Sequence, residues 1–134
     1  MTPVRNKRGN VAVECALVIP ILLTLFMGIV EFSRLLYTQQ ILSHATNLSA
    51  RTGATSLDDT TSQSRAVTSA NDALQGGGLD PARADIAVNI YPSPIPGEVE
   101  VIATYQQDLM FTFFSNVLGF PPSYTLSAQQ AYRR

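Results

Sequence analysis

The fold of this chain is decided by residues 8–30, which read RGNVAVECALVIPILLTLFMGIV. A basic leader ends at Gly9, and Glu14 stands five residues later, at the start of a long apolar run. A carboxylate at the edge of a bilayer is costly, so an ionisable residue in such a segment is a functional hypothesis by default. The stretch therefore indicates a membrane segment that also carries a signal.

The apolar run has the length and flanks of a membrane-spanning helix. No charged residue lies between Glu14 and Glu31, and about 20 apolar residues suffice to cross a bilayer, so we predict a transmembrane helix over residues 11–32. Basic residues before the run place the N-terminus in the cytoplasm and the rest of the chain outside. Proline removes a backbone hydrogen bond, so Pro20 predicts a helix kink. The basic residues are Arg5, Lys7 and Arg8.

Two other interpretations of the run stay open. A secretory signal peptide shares the basic start and the apolar centre. Against it, this run is long, and Glu31 follows it in place of a small-residue cleavage site. An uncleaved membrane anchor explains the run and its orientation, but it does not explain the spacing of Gly9 and Glu14.

Composition limits the remaining possibilities. With 134 residues, the chain has room for one membrane helix and one small domain. A net charge of −1 gives no electrostatic reason to expect a nucleic-acid partner. The only cysteine, Cys15, excludes an internal disulfide and is expected to pack as a small apolar residue. The only histidine, His44, is expected on a helix surface.

We predict no enzymatic activity, no metal and no cofactor. The chain lacks a Ser/His/Asp or Cys/His set for nucleophilic catalysis, because its one histidine and one cysteine are far apart. Two close pairs of acids occur, Asp58 with Asp59 and Glu98 with Glu100. The first pair fits a helix start and the second a strand face, where charges usually stay solvated.

Helical periodicity continues beyond the membrane segment. Apolar residues recur every three or four positions, which is typical of a helix that lies on a core. They are Tyr37, Ile41, Ala45 and Leu48. Gly53 and the polar residues 55–61 predict the end of this helix and a linker. A second helix is expected from Asp58, Asp59 or Thr61 to Leu74, and the glycines at 76–78 stop it.

The second half of the chain favours a small sheet. Residues 84–91 and 98–105 alternate apolar and polar positions, which predicts two half-buried strands joined by a proline-rich hairpin loop at 92–97. Residues 123–132 are expected to form a third strand. Between the strands, Asp108 is predicted to cap a short helix. The apolar positions of that helix are Met110, Phe113, Phe114 and Val117.

The motifs together resemble the TadE-like minor pseudopilins of the Tad (tight adherence, type IVc) pilus system. The resemblance rests mainly on residues 9–37 and on the closing segment 126–133. Its motif positions are Gly9, Glu14, Pro20, Gly28, Glu31 and Arg34. Cys15 departs from the pattern, because the family usually has an aromatic residue beside the glutamate.

The resemblance implies a pilin-like α+β fold with three parts. Residues 1–9 form a cytoplasmic leader that a prepilin peptidase removes between Gly9 and Asn10. Residues 10–54 form the N-terminal helix, and residues 55–134 form a small extracytoplasmic domain with a second helix and a short antiparallel sheet. Glu14 and Cys15 are the expected recognition and assembly positions, and the Gly28–Glu31–Arg34 pattern is the expected membrane-exit motif.

The resemblance also implies a location and partners. The chain is expected in the bacterial inner membrane as a single-pass protein with a periplasmic C-terminal domain, assisting pilus assembly or adhesion. Its partners are expected to be other pilin and pseudopilin subunits, the prepilin peptidase, the inner-membrane assembly platform and the lipid bilayer. The related TadF role stays open. The alternative function is an uncleaved bitopic envelope adaptor, which would retain residues 1–9 and bind a partner through its outer domain.

Overall fold

The computed structural model of the chain describes residues 7–56, 58–91, 97–111, 116, 119 and 121–133. It has an α+β fold, as predicted, with two α-helices, a short 3-10 turn and one antiparallel sheet. The helices are α1 (Lys7–Ala54) and α2 (Asp59–Gly76), and the turn is Pro81–Arg83. The strands are β1 (Ala84–Tyr91), β2 (Glu98–Asp108) and β3 (Ser123–Arg133).

Helix α1 is the longest element and organises the others. Its first half projects away from the domain, and from Thr38 onward it packs on β2, β3 and α2. Polar side chains fix its position on the sheet: Thr38 Oγ1 donates to Gln107 Oε1 at 3.2 Å, and Gln39 Nε2 donates to the Ser127 carbonyl at 2.9 Å. The α+β domain is therefore built directly on the second half of this helix.

The buried face of α1 differs from the predicted stripe. Tyr37 is 57% exposed and Leu48 is 40% exposed, so the prediction was wrong for both, whereas Ala45 is fully buried. The side chains that the helix buries are mostly small: Thr38, Leu42, Ala45, Thr46, Ser49 and Ala50. Small residues let the helix axis approach the sheet and α2 closely, and the large apolar residues then lie at the margins of the contact.

Helix α2 covers the side of α1 next to β1. It starts after Asp58, whose carboxylate accepts the hydroxyl hydrogen bonds of Thr60 and Thr61, and it ends two residues later than predicted. The predicted glycine turn is confirmed at its C-terminus. A Cβ on Gly77 would lie 2.6 Å from Ile41 Cγ2, and Gly78 has a φ of 75°, a conformation that favours glycine.

The sheet has the order β1-β2-β3, and both neighbouring pairs are antiparallel. The predicted strands are present, although β2 continues three residues further, to Asp108. Asp108 is thus the last residue of a strand, and its carboxylate forms an ion pair with Arg83. Phe113, Phe114 and Val117 of the predicted short helix lie outside the described residues, as does most of the predicted 92–97 loop.

The core lies between α1 and the inner face of the sheet. It comprises two clusters of buried residues, one of Leu42, Ala45, Leu74, Ala103 and Tyr105, the other of Ala50, Val99 and Val101. Val99 and Val101 are fully buried on the inner face of the central strand, as the alternating pattern predicts. Full burial of a side chain of this size contributes about 1.5–3 kcal/mol to stability, so the central strand anchors the domain.

Candidate functional site

The first half of α1 presents large apolar side chains to its surroundings. Within the part of the chain that the structure describes, this is the one helix long and apolar enough to cross a membrane. Leu17, Ile21, Leu25 and Phe26 are each at least 60% exposed, and no other part of the described chain covers them. Length and composition therefore agree with the predicted membrane segment, and the exposed surface is what a helix in lipid requires.

The predicted processing and assembly residues lie on the first turns of this helix. The backbone is helical through Gly9 and Asn10, so the bond between them lies inside the helix. Glu14 and Cys15 follow at exposed positions, and Cys15 is a free thiol. Since a helix rises about 1.5 Å per residue, Asn10 and Glu14 are separated by about 6 Å along the axis and share a face.

Pro20 lies within a continuous helix. Helical structure runs from Lys7 to Ala54 without a break, so the proline does not end the helix. Because proline has no N–H, the carbonyl of Ala16 lacks its usual intrahelical donor. One turn later, Thr24 Oγ1 donates to the Pro20 carbonyl at 2.8 Å. The predicted membrane segment therefore contains one backbone acceptor that its own helix leaves unused.

The predicted membrane-exit motif forms a contact that sequence patterns do not reveal. The Glu31 side chain is only 12% exposed, and its two carboxylate oxygens lie 3.4 and 3.3 Å from the backbone nitrogen of Met110. Arg34 Nη1 lies 3.5 Å from Glu31 Oε1. The motif thus fastens the segment that follows β2 to the helix at the level where the apolar run ends.

Gly28, the remaining residue of this motif, makes no close packing contact with the described part of the chain. Among the residues that the structure describes, a Cβ placed on Gly28 would meet no atom within 4 Å. By contrast, a Cβ on Gly53 would lie 3.1 Å from Val99 Cγ1 and 3.3 Å from Ala66 Cβ. Gly53 therefore permits a close helix contact inside the domain, whereas the structure brings Glu31 and Arg34 together without involving Gly28.

On the sheet face away from α1, the Glu100 carboxylate lies at the centre of a hydrogen-bond network. Its carboxylate accepts hydrogen bonds from Asn89 Nδ2 at 3.2 Å, from the Tyr91 hydroxyl at 3.0 Å and from Gln129 Nε2. The hydrogen bonds from Asn89, Gln129 and Tyr91 hold the pKa of Glu100 below its ordinary value. Conversely, the nearby carboxylate raises the pKa of Tyr91. This network joins all three strands and leaves Glu100 a structural acceptor.

A shallow groove of about 550 Å³ runs between α1 and α2. Tyr37, Ile41 and Leu48 line one wall, which accounts for the large residues that the core does not bury. His44 also lines the groove and is exposed, as predicted. In the described parts of the chain, no group of three or more histidine, cysteine or acidic residues is placed to hold a metal ion.

The comparisons with known proteins agree with the N-terminal motifs. Residues 9–51 match the family model described as TadE-like protein, which covers about a third of the chain. No curated protein and no solved structure matched. The matched region starts at Gly9, contains every motif position up to Arg34 and ends inside the packed half of α1. The TadE-like resemblance is therefore confirmed, and it belongs to the helix on which the whole domain is built.

Proposed function

Since the chain is TadE-like over residues 9–51, we propose that it is a minor pilin or pseudopilin subunit of a Tad-type pilus. It is anchored in the bacterial inner membrane by the first half of α1, with its N-terminus in the cytoplasm and its α+β domain in the periplasm. The observation that carries the proposal is the exposed apolar half of α1, which continues without a break into a folded domain. An assembling subunit needs both a lipid-soluble helix and a head that neighbouring subunits can contact.

Processing is the second part of the proposal. A prepilin peptidase cleaves between Gly9 and Asn10, and the new α-ammonium group of Asn10 then lies at the lipid edge. An ammonium and a carboxylate each lose hydration there, so pairing the amine with Glu14 of a neighbouring subunit offsets that loss. A buried pair of this kind sets register between helices more than it adds stability. Cys15, next to Glu14, lies at the position that the prepilin peptidase recognises in this proposal.

The membrane segment supplies further contacts between subunits in this proposal. The unused Ala16 carbonyl beside Pro20 accepts a hydrogen bond from a neighbouring helix, and Gly28 allows a close approach of helices. The partners are other pilin and pseudopilin subunits, the inner-membrane assembly platform and the bilayer. The α+β domain binds proteins and has no catalytic role, in keeping with a structural pilus family.

The mature N-terminus tests this function directly. Protein purified from native membranes is expected to begin Asn-Val-Ala-Val and to have lost the mass of residues 1–9. Lys7 is the only lysine, so an amine-reactive label should no longer find a side chain. Protein from a strain that lacks the prepilin peptidase is the control and should retain Met1 and react at Lys7. Full-length protein in both strains would contradict cleavage.

One observation favours the alternative, an uncleaved bitopic adaptor. The Gly9–Asn10 bond lies inside α1, and a peptidase must unwind this turn before it can reach the bond. An adaptor would keep Met1–Gly9, remain in the inner membrane and be absent from sheared pili. Intact mass and pilus fractions from the same cells therefore separate the two functions.

A further inference from the structure

Residues 109–111, which follow β2, lie beside the point where α1 leaves its apolar stretch. The backbone nitrogen of Met110 is 3.3 Å from a Glu31 carboxylate oxygen, so both residues are at the same height along the helix. In the sequence, Glu31 is the first charged residue after the apolar run. If the run spans the bilayer, Met110 lies at its outer surface.

The side chains in this segment suit a lipid surface. Met110 is 59% exposed, and Phe111 is half-buried. The sequence contains no charged residue from position 109 to position 132. A methionine and a phenylalanine held near lipid head groups gain from burial of apolar area, and the absence of charge avoids the cost of desolvating one.

The residue after β2 and the residue before β3 are held close to each other at the end of the sheet. The Leu109 N–H donates to the Pro122 carbonyl at 3.1 Å, and Asp108 pairs with Arg83 on the other side of β2. Both contacts lie at the end of the sheet nearest the apolar half of α1. The opposite end of the sheet lies beside Gly53, about 33 Å further along the helix.

We propose that Met110 and Phe111 insert into the outer interface of the same bilayer that α1 crosses, so that the domain rests on the membrane at two points. This inference depends on the membrane anchoring in the proposed function. Glu31 is the positioning residue, because its carboxylate holds the Met110 backbone at that level and Arg34 neutralises its charge. The occupant of this surface is lipid, and an apolar surface on a neighbouring protein is the competing outcome.

Single tryptophans test the proposal, because the chain contains none. Met110→Trp reports on the segment and keeps the backbone contact with Glu31, and Phe111→Trp is a second reporter if the first variant misfolds. Phe26→Trp, in the exposed apolar half of α1, reports on anchoring itself. Tyr132→Trp, on β3 at the far end of the sheet, is the matched exposed control. Each full-length variant is reconstituted into phosphatidylcholine vesicles whose acyl chains carry bromine near the carbonyl end or near the methyl end.

Met110→Trp is expected to be quenched several times more strongly than Tyr132→Trp, and more by the shallow bromines than by the deep ones. Phe26→Trp should be quenched more by the deep bromines. No quenching at positions 110 and 111 with quenching at position 26 overturns the inference and leaves anchoring intact. Blue-shifted but unquenched emission at position 110 that disappears on dilution with lipid indicates a protein neighbour and also overturns it. No quenching at position 26 overturns the anchoring on which both proposals depend.

Discussion

The lower half of α1, residues 11–36, and its upper half, residues 38–53, invert the usual relation between hydrophobicity and burial. The lower half carries leucine, isoleucine and phenylalanine and exposes them, whereas the upper half buries threonine, serine, alanine and one leucine. A helix in lipid needs apolar area on all sides, but a helix against a sheet needs side chains that permit close approach. Large apolar side chains therefore mark the half that is proposed to lie in lipid, and small side chains mark the half that packs against the rest of the protein.

The largest expected effect concerns Glu14, near the N-terminal end of the lower half of α1. Glu14→Ala removes the carboxylate that pairs with a neighbouring N-terminus in the proposed function, so pilus assembly should be lost. Membrane insertion should be undiminished, because a charged group costs about 2.5–3.5 kcal/mol near a helix centre and less at its edge. Pilus counts and membrane-fraction blots measure the two effects. Val13→Ala, one residue earlier on the same exposed turn, is the control and should support normal piliation. Normal pili with Glu14→Ala would show that the carboxylate is incidental.

The next effect compares the same substitution in the two halves. Leu42 is fully buried in the core, whereas Leu25 is 60% exposed. Leu42→Ala should lower the free energy of unfolding of the α+β domain by about 2–5 kcal/mol, because it leaves a cavity. Leu25→Ala should leave domain stability almost unchanged. Denaturant titrations in detergent, with protease resistance of the domain as the signal, give the free energy of unfolding of both variants. Equal losses would mean that the lower half is packed inside the protein.

Two glycines sharpen the comparison at the level of a single Cβ. Gly53→Val places a branched side chain against Val99 and Ala66, and overpacking of this kind costs about 1–3 kcal/mol. A Cβ on Gly28 meets no atom of the described residues, so Gly28→Val should not destabilise the domain. It should instead reduce pilus assembly if Gly28 contacts a neighbouring helix. A stable Gly53→Val domain would show that α1 does not approach the sheet as closely as the structure indicates.

The smallest effect concerns the sheet face away from α1. The pKa of Glu100 is lowered from 4.5 in the folded state, so its contribution to stability is present above that pH and is lost as the pH falls through the folded value. Gln129→Ala removes one of the hydrogen-bond donors, so the pKa should move back towards 4.5. Carboxyl titration by NMR follows this group. Gln130→Ala, the next exposed residue on β3, should leave the titration of Glu100 where it is. Identical titrations in all three proteins would remove the network as the cause.

Sequence patterns predicted those elements whose local signal matches their surroundings. The long apolar helix, the three strands and the glycine turn were predicted because apolar runs, alternation and backbone freedom are local properties. The predicted buried face of α1 was only partly correct. Periodicity identifies large apolar residues, but it does not reveal that Thr46 and Ser49 face the closely packed interior. Glu31 was predicted as part of the membrane-exit motif. Glu100 was predicted, together with Glu98, as a solvated charge on a strand face.

The partners of these two acids were not predictable. Met110 contacts Glu31 from 79 positions away in the chain, and Gln129 reaches Glu100 across a strand pair. No local pattern encodes such contacts, because they depend on register and on how the sheet lies on the helix. The one available signal was the lack of charge after Asp108, which indicates an apolar environment for the segment next to Glu31.

The continuity of α1 also has a mechanical consequence. The α+β domain is fixed to residues 38–53 by its core, so it moves with the upper half of the helix as one body. From Glu31 to Ala54 the helix is about 35 Å long, and tilting it by about 10° displaces its far end by about 6 Å. In the proposed membrane-anchored subunit, a small change in the tilt of the helix in the bilayer therefore displaces the domain by several times the length of a bond.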